Sequence, residues 1–241
     1  MAKISTGSKE LDLWLEGGYD KDTITTIYGP AGSGKTNLCI IAAVHQALKG
    51  NKVIYIDTEG SFSADRLRQI GGSTDIIKNI LILRATTFWE QRECFNRLLT
   101  EVKKSISLII VDSISMLYRL ELGFANQQSR EKASIINRSL GRQLRILTEI
   151  SRKKNIPVLV TNQVYSNFAR TDDPEQIMQQ RKEVRMVGGD ILKYWSKCLI
   201  ELQKEERKRK AILRKHRSIP EKELEFVITE KGIEKPKFKF W

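Results

Sequence analysis

Cysteine is scarce in this sequence, and long apolar runs are missing from it. The three cysteines, Cys39, Cys94 and Cys198, lie far apart and form no C-x-x-C pair, so we predict reduced structural thiols and no zinc site. The chain has no run of eighteen apolar residues and no apolar segment at its N-terminus. A membrane span and a signal peptide are therefore not expected, and the sequence favours a cytoplasmic protein.

Internal repeats and low-complexity linkers are also missing, and only residues 1–22 precede the first predicted strand. A chain of 241 residues suits one α/β domain. We predict a short N-terminal cap over residues 1–22, a core over residues 23–190 and a C-terminal β extension over residues 191–241. A separate N-terminal domain is not expected.

Negative charge is in deficit. The chain has 42 Lys and Arg against 29 Asp and Glu, a formal net charge of +13. This excess predicts an anionic partner, most often nucleic acid, although a basic but otherwise ordinary protein is the alternative. The basic residues are densest between residues 204 and 217, where a solvated hairpin tip would explain part of the charge. The candidates for DNA binding in this stretch are Lys208, Arg209 and Lys210.

The strongest motif lies at residues 29–36, which fit the phosphate-loop pattern G-x-x-x-x-G-K-[ST]. Glycines let a backbone curl around a phosphate, and the curl turns successive N–H groups towards the anion. Lys35 can pair with the β- and γ-phosphates, and Thr36 can offer its hydroxyl to Mg²⁺. A β-branched run at residues 23–28 and a helical pattern at residues 37–49 supply the required context. The predicted nucleotide ligands in the loop are Gly29, Pro30, Ala31, Gly32, Ser33, Gly34, Lys35 and Thr36.

Two further predicted strands are followed by carboxylates. Residues 52–57 form a near-continuous apolar run shortly before Glu59, and residues 108–111 are four large aliphatics followed by Asp112. Such runs are typical of strands buried on both faces of a parallel sheet, and ligands collect at the carboxyl ends of those strands. Glu59 is therefore a candidate base, with a solvated loop acid as the alternative. Asp112 is a candidate for the Mg²⁺ shell.

A third buried strand, predicted over residues 157–164, ends in amides. An amide can bind a γ-phosphate without repelling it, so Gln163 is a candidate sensor, with a bond to backbone as the alternative. The polar residues 166–187 that follow are either a DNA-contacting loop or a mobile surface loop. The DNA-binding candidates there are Phe168, Arg170, Arg181, Lys182 and Arg185.

Periodicity predicts the remaining elements. Helices are expected over residues 63–70, 88–104 and 130–154, and an irregular segment over residues 118–129. Strands are expected over residues 80–84, 191–202, 211–215 and 224–228. We expect the last three strands to be antiparallel and to extend a mostly parallel sheet.

The order of these motifs resembles the ATPase core of the RecA-type recombinases. Residues 55–62 and 160–164 are similar to the archaeal and eukaryotic branch of that family, as are residues 5–12. The likeness covers nearly the whole chain. The short N-terminus and the triplet at residues 215–217 resemble the short archaeal members. The fold implied is a RecA-like α/β core with a mostly parallel twisted sheet, flanked by helices and extended by antiparallel strands.

The resemblance implies roles at the matching positions, with ATP and Mg²⁺ as cofactors. Lys35 and Thr36 would bind phosphate and metal, with Asp112 in the second shell of the metal, and Glu59 would activate water. Arg66 would lie over the adenine, and Gln163 would sense the γ-phosphate. The segments after Tyr118 and Ser166 would correspond to two DNA-binding loops. Lys215 and Arg217, two residues apart and expected on the same face of one strand, would point together at the ATP of a neighbouring subunit, or would contact DNA.

The function implied is that of a weak ATPase that assists homologous recombination and DNA repair. Its partners would be single-stranded or branched DNA, the RadA recombinase, a branched-DNA nuclease and other copies of itself, in the archaeal cytosol at the nucleoid. Two departures argue against strand exchange: no Phe-x-x-Ala tether precedes the core, and residues 121–128 lack an arginine cluster. The alternatives are a signalling or clock-type ATPase that acts on proteins, and a replicative helicase fragment.

Overall fold

The computed structural model describes residues 2–71, 73–102, 105–165, 185–205 and 208–236. The helices are α1 (Lys9–Trp14), α2 (Lys35–Leu48), α3 (Ala64–Gln69), α4 (Thr74–Ile77), α5 (Phe88–Glu101), α6 (Met116–Gln128), α7 (Arg130–Lys154) and α8 (Gly189–Trp195). The strands are β1 (Lys3–Ile4), β2 (Tyr19–Asp20), β3 (Ile24–Gly29), β4 (Lys52–Asp57), β5 (Ile80–Arg84), β6 (Ile106–Asp112), β7 (Val158–Tyr165), β8 (Arg185–Met186), β9 (Cys198–Lys204), β10 (Arg209–Lys215), β11 (Glu223–Thr229) and β12 (Gly232–Glu234).

One large sheet dominates the described chain. Its strand order is β12-β11-β10-β9-β3-β7-β6-β4-β5, with β8 paired to β7. The strands from β9 to β5 run parallel, and β10, β11 and β12 continue the sheet antiparallel from β9. The predicted fold class is confirmed, although β9 itself joins β3 in parallel. The carboxyl ends of β3, β4, β6 and β7 therefore meet at one edge.

Both faces of the sheet are covered by helices. β4 shows why: Ile54 and Ile56 belong to an apolar cluster with α5 and α7, whereas Val53 and Tyr55 belong to a second cluster with α2. Alternate residues of a strand point to opposite faces. A strand that is apolar at both sets of positions must therefore be buried on both sides.

Helix α7 confirms the helix predicted over residues 130–154. The Ser129 side chain accepts a hydrogen bond from Lys132 N at 3.2 Å and caps the first turn, and Asn155 ends the helix in the left-handed conformation with φ of 52°. Its inner face lies in the apolar cluster that contains Ile54, Ile56 and α5. The residues of α7 in this cluster include Ala133, Ile136, Leu140, Leu144, Leu147 and Ile150.

The irregular segment predicted over residues 118–129 is wrong, because α6 covers Met116–Gln128. Gly123 and the polar residues around it weaken the helical signal in the sequence. Packing against α7 outweighs them: Leu117 and Ala125 are buried, and the Tyr118 hydroxyl donates to Asn137 Oδ1 at 2.7 Å. Tertiary contacts thus decide a helix that local propensity does not.

The single strand predicted over residues 191–202 is also wrong. Helix α8 occupies its first part, and β9 begins only at Cys198. Branched and aromatic residues such as Ile191, Tyr194 and Trp195 favour strands by propensity. Gly188, with φ of 65°, nevertheless starts a helical turn there that buries Leu192. The short elements β1, β2, α4, β8 and β12 give no periodic signal and were not predicted.

Candidate active site

The phosphate loop, residues 29–36, joins the end of β3 to the start of α2. Gly32 and Gly34 have φ of 71° and 108°, a left-handed backbone that favours glycine. Gly29 lies against β9 so closely that an added Cβ would stand 2.3 Å from the Leu202 carbonyl oxygen. The loop then delivers the chain to the first turn of α2, whose N–H groups have no partner within the helix. These N–H groups and the dipole of α2 form a cradle for an anion.

Lys35 lies inside this cradle with only 8% of its surface exposed. Its Nζ donates to the carbonyl oxygens of Gly29 and Pro30, both at 2.9 Å. Burial holds the pKa of the Lys35 ammonium below its ordinary value, and the carboxylates of Glu59 and Asp112 partly oppose this shift. The ammonium is therefore desolvated, and it is held by neutral carbonyls that a phosphate oxygen can replace.

The hydroxyl of Ser33 supports an anionic ligand. Its Oγ is buried and has no hydrogen-bond partner among the described residues. A buried polar atom without a partner costs stability, so it indicates a group that completes its bonding. Backbone N–H groups, a hydroxyl and an ammonium form a donor set that suits a polyphosphate, and the Thr36 hydroxyl in the first turn of α2 suits its Mg²⁺. The residues present thus fit ATP and Mg²⁺.

Asp112 ends β6 as a buried acceptor. Its carboxylate accepts hydrogen bonds from the hydroxyls of Tyr55 at 2.8 Å, Ser61 at 3.1 Å and Thr161 at 2.5 Å. The nearby carboxylate and burial together raise the pKa of Tyr55 well above its usual value, with burial the larger cause. Three hydroxyl donors therefore fix the Asp112 carboxylate in place. A carboxylate in this position can orient the water shell of a metal ion.

Asp57 is a candidate site residue that sequence reasoning missed. It pairs with Asp112 in the register of β4 and β6, and its carboxylate accepts from Ser61 N at 3.1 Å and Phe62 N at 3.2 Å. These bonds close the turn that carries Glu59. A motif search that treats residues 57–62 as one Asp-closed turn would find it.

Glu59 and Gln163 meet although 104 residues separate them in the chain. Gln163 Nε2 donates to Glu59 Oε1 at 2.9 Å. Gln163 pairs with Gly29 in the register of β3 and β7, so the bond lies beside the phosphate loop. The structure thus brings together the predicted base, the predicted sensor and the loop. This arrangement can hold a water between a carboxylate and the end of a polyphosphate.

Arg66 joins three elements near the first turn of α2. Its Nε donates to Asn37 Oδ1 at 2.7 Å, while its two terminal nitrogens donate to the carbonyl oxygens of Glu230 at 3.0 Å and Thr229 at 2.7 Å. The guanidinium is thereby fixed between α2, α3 and the end of β11. Its predicted position over an adenine stays a prediction.

Lys215 and Arg217 do not lie on one strand, and that part of the prediction is wrong. β10 ends at Lys215, whose Nζ donates to the Lys193 carbonyl oxygen at 2.8 Å. Arg217 lies in the following turn and forms ion pairs with Asp20 at 3.0 Å and Asp22 at 2.8 Å. Within the described residues the two cations therefore serve different partners.

The DNA-binding candidates fall into two groups. Phe168, Arg170, Arg181 and Lys182 lie outside the described residues, and Arg185 begins β8. On the hairpin formed by β9 and β10, Lys208 pairs with Glu225 at 3.4 Å and Lys210 pairs with Glu223 at 3.1 Å. Arg209 turns to the phosphate loop instead, where one terminal nitrogen lies 3.5 Å from the Gly32 carbonyl oxygen.

Comparison with known proteins decides the family. Residues 1–236 match the family model described as Rad51. The chain belongs to the Rad51 family. Recognition of a RecA-type recombinase from the sequence is thereby confirmed, and members of this family are ATPases that bind nucleotide. Among the described residues, no helix of this Rad51-family chain has the length and apolar character to cross a bilayer.

Curated relatives and a solved structure show which members of the family the chain is similar to. The chain is 40% identical over 239 residues to a DNA repair and recombination protein RadB from Methanobrevibacter smithii, covering 96% of this chain and 95% of the relative. It is 38% identical over 222 residues to the RadB protein of Methanocaldococcus jannaschii, covering 91% of this chain and 96% of the relative. A structure titled as the RadB recombinase aligns with a TM-score of 0.75 at 33% identity, covering 97% of this chain and all of that one. The predicted likeness to the short archaeal members of the family is confirmed, and these relatives are named RadB.

Proposed function

We propose that this protein is a weak, Mg²⁺-dependent ATPase that binds DNA and assists homologous recombination and DNA repair. The observation that carries the ATPase half is the bond between Glu59 and Gln163 beside the loop of Lys35. The DNA half rests on the net charge of +13 and on relatives named as DNA repair and recombination proteins.

ATP with Mg²⁺ supplies the phosphoanhydride bond that is hydrolysed. Lys35 and the loop N–H groups would hold the phosphates, and the Thr36 hydroxyl with Asp112 would position the metal. Glu59 accepts the proton of the attacking water. Gln163 would bind the γ-phosphate in place of Glu59, and the nucleotide would thereby be coupled to the segment that follows β7.

Binding to DNA is proposed to be modest and independent of sequence, because Lys and Arg contacts go mainly to phosphate. Strand exchange is proposed to be absent, since residues 121–128, which lie in helix α6, carry no arginine or lysine that could bind DNA. The further proposed partners are the RadA recombinase, a branched-DNA nuclease and other copies of this chain. DNA as the target puts the proposed site of action at the nucleoid in the cytosol.

Replacement of Lys35 tests the nucleotide site. Lys35→Ala should abolish ATP binding, measured by the change in fluorescence of a labelled nucleotide, because the loop loses its only full positive charge. Lys49→Ala is the matched control: this lysine is exposed beyond the other end of α2 and should leave affinity unchanged. Equal affinity in the Lys35 variant and the parent would refute the assignment.

Salt titration tests the DNA half. The logarithm of the binding constant for a labelled single strand should fall linearly with the logarithm of the salt concentration. No binding at low salt would favour an ATPase that acts on proteins. A pure preparation that pairs homologous strands with ATP and no helper would overturn the proposed lack of strand exchange. Sizing with and without ATP and single-stranded DNA would show whether a filament forms.

A further inference from the structure

The hairpin of β9 and β10 turns two cations towards the phosphate loop. Lys204 and Arg209 are cross-strand partners in its register. A terminal nitrogen of Arg209 lies 3.5 Å from the Gly32 carbonyl oxygen, and an added Cβ at Gly32 would stand 3.5 Å from Lys204 Nζ. The basic hairpin therefore reaches the predicted nucleotide site of its own chain.

Arg209 has bonding capacity that the described chain does not use. Its Nε is buried and has no hydrogen-bond partner among the described residues. The stem of the side chain passes Gly34, where an added Cβ would stand 3.6 Å from Cδ and 3.9 Å from Nε. Its bond to Gly32 is at the long limit for a hydrogen bond. A buried N–H without an acceptor is costly, so the Nε of this half-buried arginine indicates a group that completes its bonding.

Two neighbouring lysines on the hairpin are paired with carboxylates, unlike Lys204 and Arg209 within the described chain. Lys208 and Lys210 form ion pairs with Glu225 and Glu223 of β11. In the part of the chain that the structure describes, neither Lys204 nor Arg209 has a carboxylate within ion-pair distance. Strand alternation explains the difference, because Arg209 points to the opposite face of β10 from its two neighbours. The uncompensated charge thus faces the loop.

We propose that Arg209, supported by Lys204, binds the polyphosphate of the nucleotide from within the same chain. This inference rests on the proposed ATP site at residues 29–36. The contacts with Gly32 and Gly34 place the guanidinium beside the part of the loop whose N–H groups cradle the α- and β-phosphates. Glu59 and Gln163 mark the γ-phosphate end. Arg209 therefore holds ADP as well as ATP, and it is a binding residue rather than a base or sensor.

The test is the affinity of the full chain for ADP and ATP, measured by calorimetry with Mg²⁺. Arg209→Gln should weaken both by a similar factor of roughly ten-fold or more, since a bond to a charged group is lost. Lys204→Ala should weaken both affinities by a smaller factor. The double variant should weaken them more than either single variant does. Lys197→Ala, at an exposed lysine just before β9, is the control and should bind both nucleotides like the parent.

The outcomes separate this inference from the proposed function. If the parent binds neither nucleotide, the proposed ATP site fails. If the parent binds both and Arg209→Gln binds them equally well, only the role of Arg209 fails. Nucleotide-free thermal unfolding shows whether Arg209→Gln folds, and Arg209→Lys, which retains the charge, should recover part of the affinity. A variant that loses DNA binding while its nucleotide affinity is unchanged would assign Arg209 to DNA and overturn the inference.

Discussion

At the scale of single residues, buried polar groups locate the chemistry of this protein. Ser33 Oγ and Arg209 Nε are buried without partners in the described chain, and both border the phosphate loop. Lys35 is desolvated and bound only to carbonyl oxygens. Native interiors avoid such groups unless a ligand completes them. Three incomplete donors around one loop therefore indicate an anion better than any one of them alone.

Glu59→Gln should keep ATP bound and reduce hydrolysis by roughly 10²–10⁴-fold, the usual contribution of a general base. The amide oxygen of the new side chain can still accept the bond from Gln163 Nε2, so the geometry is retained while the proton acceptor is lost. The measurement is single-turnover phosphate release beside nucleotide affinity. Glu93→Gln, on an exposed part of α5, is the control and should hydrolyse ATP at the parent rate. Parent-level hydrolysis by the Glu59 variant would contradict its role as base.

At the scale of elements, the turn after β10 ties the C-terminal strands to the N-terminal two-stranded sheet of β1 and β2. Arg217 pairs with Asp20 and Asp22, and His216 Nε2 lies 3.2 Å from the same Asp20 carboxylate. Asp20 is buried, so solvent cannot replace a partner that this carboxylate loses. The predicted role of Lys215 and Arg217 across a subunit boundary stays a prediction, and it would require Arg217 to leave this site.

Arg217→Ala should lower the free energy of unfolding by about 1–2 kcal/mol, because it leaves a buried carboxylate short of a partner while the arginine itself is partly exposed. Urea denaturation measures the change. The control is Lys222→Ala, which breaks a more exposed pair with Glu16 and should cost less than about 0.5 kcal/mol. If both variants unfold like the parent, the Arg217 contacts do not stabilise the fold, and a trans role becomes the better account.

Elements also show what the sequence can and cannot predict. The phosphate loop, the carboxylate-terminated β4 and β6 and the helix α7 follow from local patterns. A strand buried on both faces gives a continuous apolar run, and a helix buried along one stripe gives apolar residues at helical spacing. Helices α6 and α8 do not follow, since packing on the core outweighs Gly123 in one and strand-forming residues in the other. Arg209 was predicted to bind DNA from local charge. Its contact with Gly32 depends on a fold-back across 177 residues, which no local pattern records.

At the scale of the whole molecule, titration near neutral pH is confined to few groups. The chain contains only two histidines, His45 and His216. Burial is the larger cause that lowers the pKa of each below its ordinary value of 6.5. Around His45, Lys49 lowers the pKa further and Asp12 opposes it; around His216, Lys3 and Arg217 lower it while Asp20 and Glu16 oppose it. In the folded protein, both rings therefore favour the neutral form.

The sign of the resulting pH dependence follows from proton linkage. Below pH 6.5 the histidines of the unfolded chain take up protons before those of the folded chain, so unfolding binds protons and the free energy of unfolding falls as the pH falls. Above that pH the contribution of both rings is fully present. The ordinary pKa values of carboxylates are about two units lower than that of histidine, so the histidines dominate the titration just below pH 6.5. Urea denaturation between about pH 7.5 and 5.5 should show a falling stability in the parent and a flatter curve in the double variant His45→Gln, His216→Gln. A parent curve that is level or rises on acidification would show that burial does not set the charge of these two rings.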